Sequence, residues 1–380
     1  MDYRELHLTR AIIDLKKFDY NMELLKRLAD NRTMYPAIKA NAYGHGSEMI
    51  SRHLLARGYT VQCVAHLPEA IELIEKGIKA KFIVLSPTVP DNAEYFAKYD
   101  LEPVICTVDM LKALDSAGEK VSKQINAHVK IDTGMGRVGM DINDLKIFFE
   151  EADRCKNVNI VSMMSHFPKA DERDKTFSRK QYNKFLDGMD IAKRYGVKVF
   201  HFANSAAIFD LPESHFDIVR PGISIYGLKP SLDILNTEVN KLKPILTLES
   251  RITYLKNVPE GTGISYGHTY HTKRPSVIAT LPVGYGDGLM RALSNKLDVL
   301  INGRYCPQVG RICMDQCLID VTSIKSTVKI GDRVVIIGEM DGNVITADEL
   351  AGKANTINYE ITTNIQRRVP RIYEGFAGSL

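Results

Sequence analysis

The apolar run MYPAIK ends on Lys39, and Tyr43, Gly44 and Gly46 follow closely. A lysine at the end of such a run ordinarily lays its stem on apolar surface and puts its amine in water. Held in a desolvated pocket, the same amine becomes a nucleophile toward a carbonyl and a base near neutral pH. Further polar residues stand directly behind apolar runs: Lys130 with Arg137, His166, Asn204 with Ser205, and Arg220 with Gly222. ANSAA offers a hydroxyl at the start of a helical stretch, and RPGIS offers a glycine whose bare backbone can approach an anion closely. The chemistry within reach is an amine for a carbonyl and a nest of donors for a phosphate.

These residues share a location only if the runs before them are strands of one sheet. Short β-rich runs recur at TMYPAIKA (33–40), VQCVA (61–65), KFIVLS (81–86), EPVICT (102–107), NAHVKID (126–132), VNIVSMMSH (158–166), KVFHFAN (198–204) and FDIVRPG (216–222). Amphipathic stretches such as GSEMISRHLLARG and TVDMLKALDSAG lie between most of them, bounded by Gly, Asp or Pro. Strands alternating with helices predict a parallel sheet, and eight units predict a (β/α)8 TIM-type barrel. A doubly wound sheet would carry a Gly-rich dinucleotide turn after its first strand, and ANAYGHG does not match GxGxxG. In a barrel the reactive face lies at the C-terminal strand ends, and the last two loops commonly hold phosphate. A phosphate there and an amine at Lys39 point to pyridoxal 5'-phosphate (PLP) as cofactor.

After Lys241 the texture changes to β-branched runs broken by Gly, Asn and Asp, ending in a short helix near TADELAGKAN. The predicted division is a barrel over 12–240 and an all-β domain over 241–380, the latter joined by an N-terminal strand within 1–11. VGYGDG reads as a glycine-rich turn of that β domain.

With 50 basic and 46 acidic residues, net charge +4 and 44% hydrophobic residues, the composition is that of a soluble globular protein with no nucleic-acid partner. The N-terminus has no secretory apolar segment and no run is long enough to span a membrane, so the expected location is cytoplasmic. The six cysteines have no paired spacing, which suits free thiols. Neither Cys313 with Cys317 nor His268 with His271 has the second ligand pair a metal site needs, so no metal is expected.

AIKANAYGHG (37–46), KIDTGMGRVGM (130–140), SHF (165–167), HFANSAA (201–207), VRPGISIYG (219–227), ISYGHTY (264–270), LPVGYGDG (281–288), GRICMDQ (310–316) and INYEITTNIQRRVPRIY (357–373) occur in this order. Together they resemble the successive signatures of bacterial alanine racemases, over essentially the whole chain. The resemblance implies that Lys39 carries the PLP and serves as one of two bases, with Tyr266 as the other on the opposite face. Racemisation needs that pair, since one group removes the α-proton and another returns one to the other face. An ordinary tyrosine has a pKa near ~10, so a tyrosine base needs cationic or hydrogen-bonding neighbours, for which His166 and Arg220 are candidates.

Arg220 would face the pyridine nitrogen, and Arg137 the cofactor's phenolic oxygen and the substrate carboxylate. Lys130 matches a position that is carbamylated in some relatives and there holds that arginine. Tyr43, Ser205, Gly222, Ile223 and Tyr359 would cradle the phosphate, and Asn204 belongs to the same strand-end set. Met314, a substrate-binding residue, and Tyr266 would come from the second domain, and Tyr266 would reach the barrel of a partner subunit, implying a homodimer with shared active sites. The product, a D-amino acid, would be a cell-wall precursor.

Several positions depart from the family pattern: Pro168 and Lys169 after SHF, His268 in ISYGHTY, and the threonines of ITTN (361–364), near a frequent cysteine. They keep open a racemase acting on serine, on basic amino acids, or broadly. A PLP barrel decarboxylase shares the plan but calls for an acidic residue at the position of Arg220. A non-catalytic PLP-binding protein of this fold would leave Tyr266 and the β domain without a purpose.

Overall fold

The structure is a computed structural model that describes residues 6–376, so the outermost ends of the expected domains, 1–5 and 377–380, lie outside the described residues. The chain forms two compact units. One comprises Phe18–Ala42 and Ser47–Lys243; the other comprises the residues up to Lys17, Tyr43–Gly46 and Pro244–Phe376.

The first strand, Arg10–Asp14 (β1), belongs to the second unit. The eight that follow are Thr33–Met34 (β2), Val61–Val64 (β3), Lys81–Val84 (β4), Glu102–Ile105 (β5), Ile125–Lys130 (β6), Val158–Met164 (β7), Phe200–His201 (β8) and Ile218–Val219 (β9). They form one parallel sheet in the order β2-β9-β8-β7-β6-β5-β4-β3. A parallel bridge between Ala37 and Cys63 closes the ring, with Cys63 N–H donating to Pro36 O and Ile38 N–H to Cys63 O, both at 2.8 Å. This is the TIM-type barrel expected from the alternation. The run predicted as strand 33–40 pairs regularly only at Thr33 and Met34, because Pro36 has no N–H to give the ladder. Its backbone nevertheless keeps barrel partners as far as Ile38.

Packing around the barrel fixes that stretch. Tyr226 is fully buried, and its hydroxyl donates to Ala37 O at 2.9 Å. Phe18, from the helix Leu15–Leu28, packs on Tyr226 and on His53. On the same helix Asn21 is wholly buried, and its amide donates to Lys243 O at 2.8 Å and accepts from Lys243 N–H at 2.9 Å.

The second unit continues with Leu246–Arg251 (β10), Tyr254–Val258 (β11), Gly263–Ile264 (β12), Tyr270–His271 (β13), Ser276–Leu281 (β14), Asp298–Ile301 (β15), Arg304–Pro307 (β16), Cys317–Asp320 (β17), Arg333–Met340 (β18), Asn343–Ile345 (β19) and Arg371–Glu374 (β20). Its main sheet runs β16-β15-β18-β10-β1-β20, with β19 beside β18, and a second sheet runs β11-β14-β17. β1 lies antiparallel to β10 and parallel to β20, so the start and end of the chain share one sheet. VGYGDG is a turn: Tyr285 N–H and Gly286 N–H donate to Cys313 O and Met314 O, at 3.0 and 2.8 Å. A Cβ on Gly284 would stand 2.2 Å from Cys313 O, so this crossing needs glycine.

Asn21→Ala should cost about 2 kcal/mol, because it leaves both polar groups of Lys243 without their partner. A denaturation midpoint equal to that of the parent would show that water replaces those bonds freely.

Candidate active site

Lys39 follows the extended backbone with an abrupt reversal of hand. Ala40, Asn41, Ala42 and Tyr43 all have φ between +51° and +54°, a left-handed turn made without glycine. Left-handed α geometry costs an L-residue roughly 1–2 kcal/mol, so the surroundings must hold it. Glu69 supplies one clamp: one carboxylate oxygen accepts from Ala40 N–H at 2.7 Å, the other from the N–H groups of Ala65 and His66 at 2.7 and 3.1 Å. Asn41 Oδ1 accepts from Ser47 N–H at 3.0 Å, and Ala42 N–H donates to Ile38 O at 2.8 Å. The sequence reading did not single out Glu69, although its place three residues after His66 at a helix start is a capping-box signal.

The strand-end cations are brought within electrostatic reach of one another. Burial lowers the pKa of Lys39, and Arg137 and Arg220 lower it further against an opposing pull from Glu69. Burial, then Arg220 and Arg137, bring Lys130 down to about 8. Desolvation brings even Arg220 down to about 10, which leaves it charged at neutral pH. His166, desolvated and facing Arg220, Lys130, Lys39 and Arg137, is held well below the ordinary histidine range and stays neutral.

Arg220 is fixed by neutral acceptors alone. Its Nη1 donates to His201 Nδ1 at 2.8 Å, and its Nη2 to Ser165 O and Phe202 O at 2.7 and 3.3 Å. A guanidinium carries five N–H donors, so two have no protein acceptor among the described residues.

The loop carrying Arg137 is shaped by Asp132, whose carboxylate accepts from Gly134 N–H at 2.8 Å and Gly136 N–H at 2.9 Å. Met140 N–H closes the loop onto Lys130 O at 2.8 Å. The backbone on either side of His166 is stapled as well. Ser165 Oγ meets Thr133 Oγ1 at 2.9 Å, Gln181 Nε2 donates to His166 O at 3.3 Å, and Asn204 Nδ2 donates to Phe167 O at 3.3 Å. Asn204 also caps the helix Ser205–Asp210, its Oδ1 accepting from Ala207 N–H at 3.0 Å, so both ends of its amide are engaged by protein. Ser205 Oγ accepts from Gly222 N–H at 2.8 Å and Ser224 N–H at 3.4 Å, and the buried Ile223 opens a 3-10 turn between them. Both backbone N–H groups thus donate to Ser205 Oγ, and the Ser205 hydroxyl keeps its own proton to donate.

The remaining predicted residues lie in the second unit. Tyr43 and Tyr359 have ring centroids 6.0 Å apart. Their neighbourhood is tightly built: a Cβ on Gly44 would fall 1.9 Å from Thr362 O, and Arg371 Nη2 donates to Gly44 O at 2.9 Å. Tyr266 and Met314 are exposed, at 73% and 54%. Ser265, with φ +60°, donates through Oγ to Arg311 O at 2.6 Å, which ties the Tyr266 turn to the segment carrying Met314. Of the departing residues, Lys169 is exposed and pairs with Glu172 at 3.3 Å, Pro168 is half-buried, and His268 is exposed beside His271.

A (β/α)8 barrel followed by a β domain, with a lysine and two arginines at or behind its C-terminal strand ends, defines the class of two-domain barrel enzymes. Residues 13–230 match the alanine racemase N-terminal domain family, and residues 245–373 match the alanine racemase C-terminal domain family. The chain is 44% identical over 382 residues to the alanine racemase of Halothermothrix orenii, covering 100% of both chains. It is 41% identical over 375 residues to that of Clostridium novyi, covering 98% of this chain and 96% of that one. Among solved structures, alanine racemase from Clostridium difficile superposes with a TM-score of 0.91 at 34% identity, covering 97% and 96% of the two chains. The enzyme from Bacillus anthracis with bound L-Ala-P gives 0.91 at 34%, covering 98% and 96%. The chain belongs to the alanine racemase family, and it is an isomerase.

Cyanate should modify Lys130 with a half-maximal rate near pH 8, because only the neutral amine reacts and its pKa is brought down to about 8. Surface lysines should reach that point near pH ~10.4. Peptide mapping across pH measures both, and a Lys130 profile matching the surface lysines would mean the cation cluster does not act on it.

Proposed function

We propose that the protein interconverts L- and D-alanine with PLP as cofactor, using Lys39 and Tyr266 as the two bases. The observation that carries the reading is the concentration of positive charge at the strand ends without a carboxylate to offset it. The one carboxylate that registers on Lys39 is Glu69, and both its oxygens are spent on backbone N–H groups. Such a place accepts a phosphate and a carboxylate, and the two open N–H groups of Arg220 fit an acceptor that must remain unprotonated.

PLP, when bound, supplies the electron sink that acidifies the α-proton of an attached amino acid. Ser205, Gly222 and Ile223, together with Tyr43 and Tyr359, would hold its phosphate. Arg220 stays charged at neutral pH and has no proton to release there, so it can donate a hydrogen bond to a ring nitrogen without protonating it. That limits charge delocalisation and favours prompt return of a proton to carbon over side reactions. Lys39, with its pKa brought down by burial and by Arg137 and Arg220, would hold or release a proton at Nζ. Tyr266 Oη would do the same on the opposite face, and Arg137 would orient the substrate carboxylate. A decarboxylase of this plan is disfavoured by the partners of Arg220, none of which is acidic.

Tyr266 and Met314 stand exposed on the second unit of a single chain, whereas a base must work shielded from water. That supports a homodimer in which each subunit completes its partner's site. No helix among the described residues is long and apolar enough to cross a membrane, and the cysteines are free, in keeping with a cytoplasmic enzyme.

Purified protein incubated with L-alanine should form D-alanine on chiral chromatography. Tyr266→Phe should lower that rate by roughly 10²- to 10⁴-fold while the visible cofactor absorbance is kept. Racemisation by Tyr266→Phe near the parent rate would remove the two-base assignment, and an alanine-inactive parent that racemises serine or a basic amino acid would change the substrate.

A further inference from the structure

One file of hydrogen bonds leaves Arg220 and runs through the barrel interior to the opposite rim. Arg220 Nη1 meets His201 Nδ1 at 2.8 Å, and His201 Nε2 meets Ser162 Oγ at 2.8 Å. Ser162 Oγ meets His128 Nδ1 at 2.6 Å, and His128 Nε2 meets Glu102 Oε2 at 3.0 Å. The members lie on β9, β8, β7, β6 and β5 in turn, or directly after them. His201 is fully buried, Ser162 and His128 nearly so, and Glu102 opens the first position of its strand.

The donor sense of every link follows from its two ends. A guanidinium can only donate, so His201 Nδ1 must be the lone pair and Nε2 must carry the proton. His201 therefore donates to Ser162, whose single hydroxyl proton goes to His128 Nδ1. His128 Nε2–H is then left to donate to Glu102, an acceptor. Burial raises the Glu102 carboxyl, but the bonds from His128 and Asn126, with Lys81 nearby, outweigh it and hold the group below the usual range. His201, desolvated and facing Arg220 and His128, is held well below the ordinary histidine range, as a neutral ring in this file must be.

We infer that Glu102 is a positioning residue for Arg220, acting through His128, Ser162 and His201, whose proton positions it holds jointly with Arg220. Without an acceptor at Glu102 the file is pinned by Arg220 alone, and His128 is free to place its proton on Nδ1. It then donates to Ser162, Ser162 donates to His201 Nε2, and the His201 proton moves to Nδ1. There it confronts the Nη1–H of Arg220, and the guanidinium loses the partner that aims it. The catalytic consequence rests on the reading that Arg220 faces the cofactor ring.

The test uses holoenzyme with isotope-labelled histidine, so that NMR reports which ring nitrogen of His201 carries the proton. In the parent it should be Nε2. In Glu102→Leu the proton should shift toward Nδ1, and kcat for alanine should fall roughly ten- to a hundredfold through misplacement of Arg220. KM should stay within about threefold. Glu102→Gln keeps an acceptor oxygen and should recover the parent tautomer and most of kcat. Ser162→Ala cuts the file, so adding Glu102→Leu to it should cost no more than about twofold further. An unchanged His201 tautomer in Glu102→Leu would overturn the proposal, as would an equal loss of kcat with and without Ser162. A shifted tautomer combined with an Arg220→Lys variant as active as the parent would instead overturn the placement of Arg220 at the cofactor, and with it the catalytic role of the file.

Discussion

Everything at the strand ends depends on keeping several cations close together in a desolvated place. Arg137 and Arg220 oppose the charges of Lys39 and Lys130, and burial acts against Lys39, Lys130 and Arg220, while Arg137 itself is exposed. Uncompensated buried charge is among the more costly features a fold can carry. The rest of the barrel must be stable enough to hold these groups, and an anion bound there would stabilise the fold in proportion to its affinity.

The acidic residues nearby are placed so that they do not quench that charge. Glu69 and Asp132 turn their oxygens to backbone N–H groups of the loops bearing Lys39 and Arg137. Asp210 is buried against Lys175, which also donates to Ala170 O at 2.7 Å and so anchors the loop after β7. Glu102 stands at the other end of the barrel, separated from Arg220 by three side chains. Carboxylates here shape loops and orient donors, and the positive field is left for the ligand.

The barrel was legible because eight apolar runs alternate with helical stretches, and the strand-end polar residues followed from that frame. Lys130, Arg137, His166 and Arg220 could be grouped without knowing any distance. The roles of Tyr266 and Met314 were not legible from spacing; only the family resemblance singled them out. The left-handed turn after Lys39 was hidden because alanine carries no sequence signal for positive φ. The assignment of Tyr43–Gly46 to the second unit was hidden too, since its cause is a close approach of Gly44 to Thr362, more than 300 residues away in the chain. His128 and Ser162 looked like ordinary strand residues, and only the parallel register brings them level.

The left-handed turn has a consequence for anyone redesigning the protein. Glycine at Ala40 or Ala42 would remove a steric cost of about 1–2 kcal/mol. Against that stands a smaller loss of about 0.5–1 kcal/mol from glycine's greater freedom in the unfolded chain. A search that optimises heat resistance alone would therefore accept glycine at the exposed Ala40, whereas at the fully buried Ala42 the lost methyl packing offsets the gain. Glycine at Ala40 would also loosen the hinge of Lys39, the residue proposed to carry the chemistry, so on that proposal thermostability and turnover select opposite residues there.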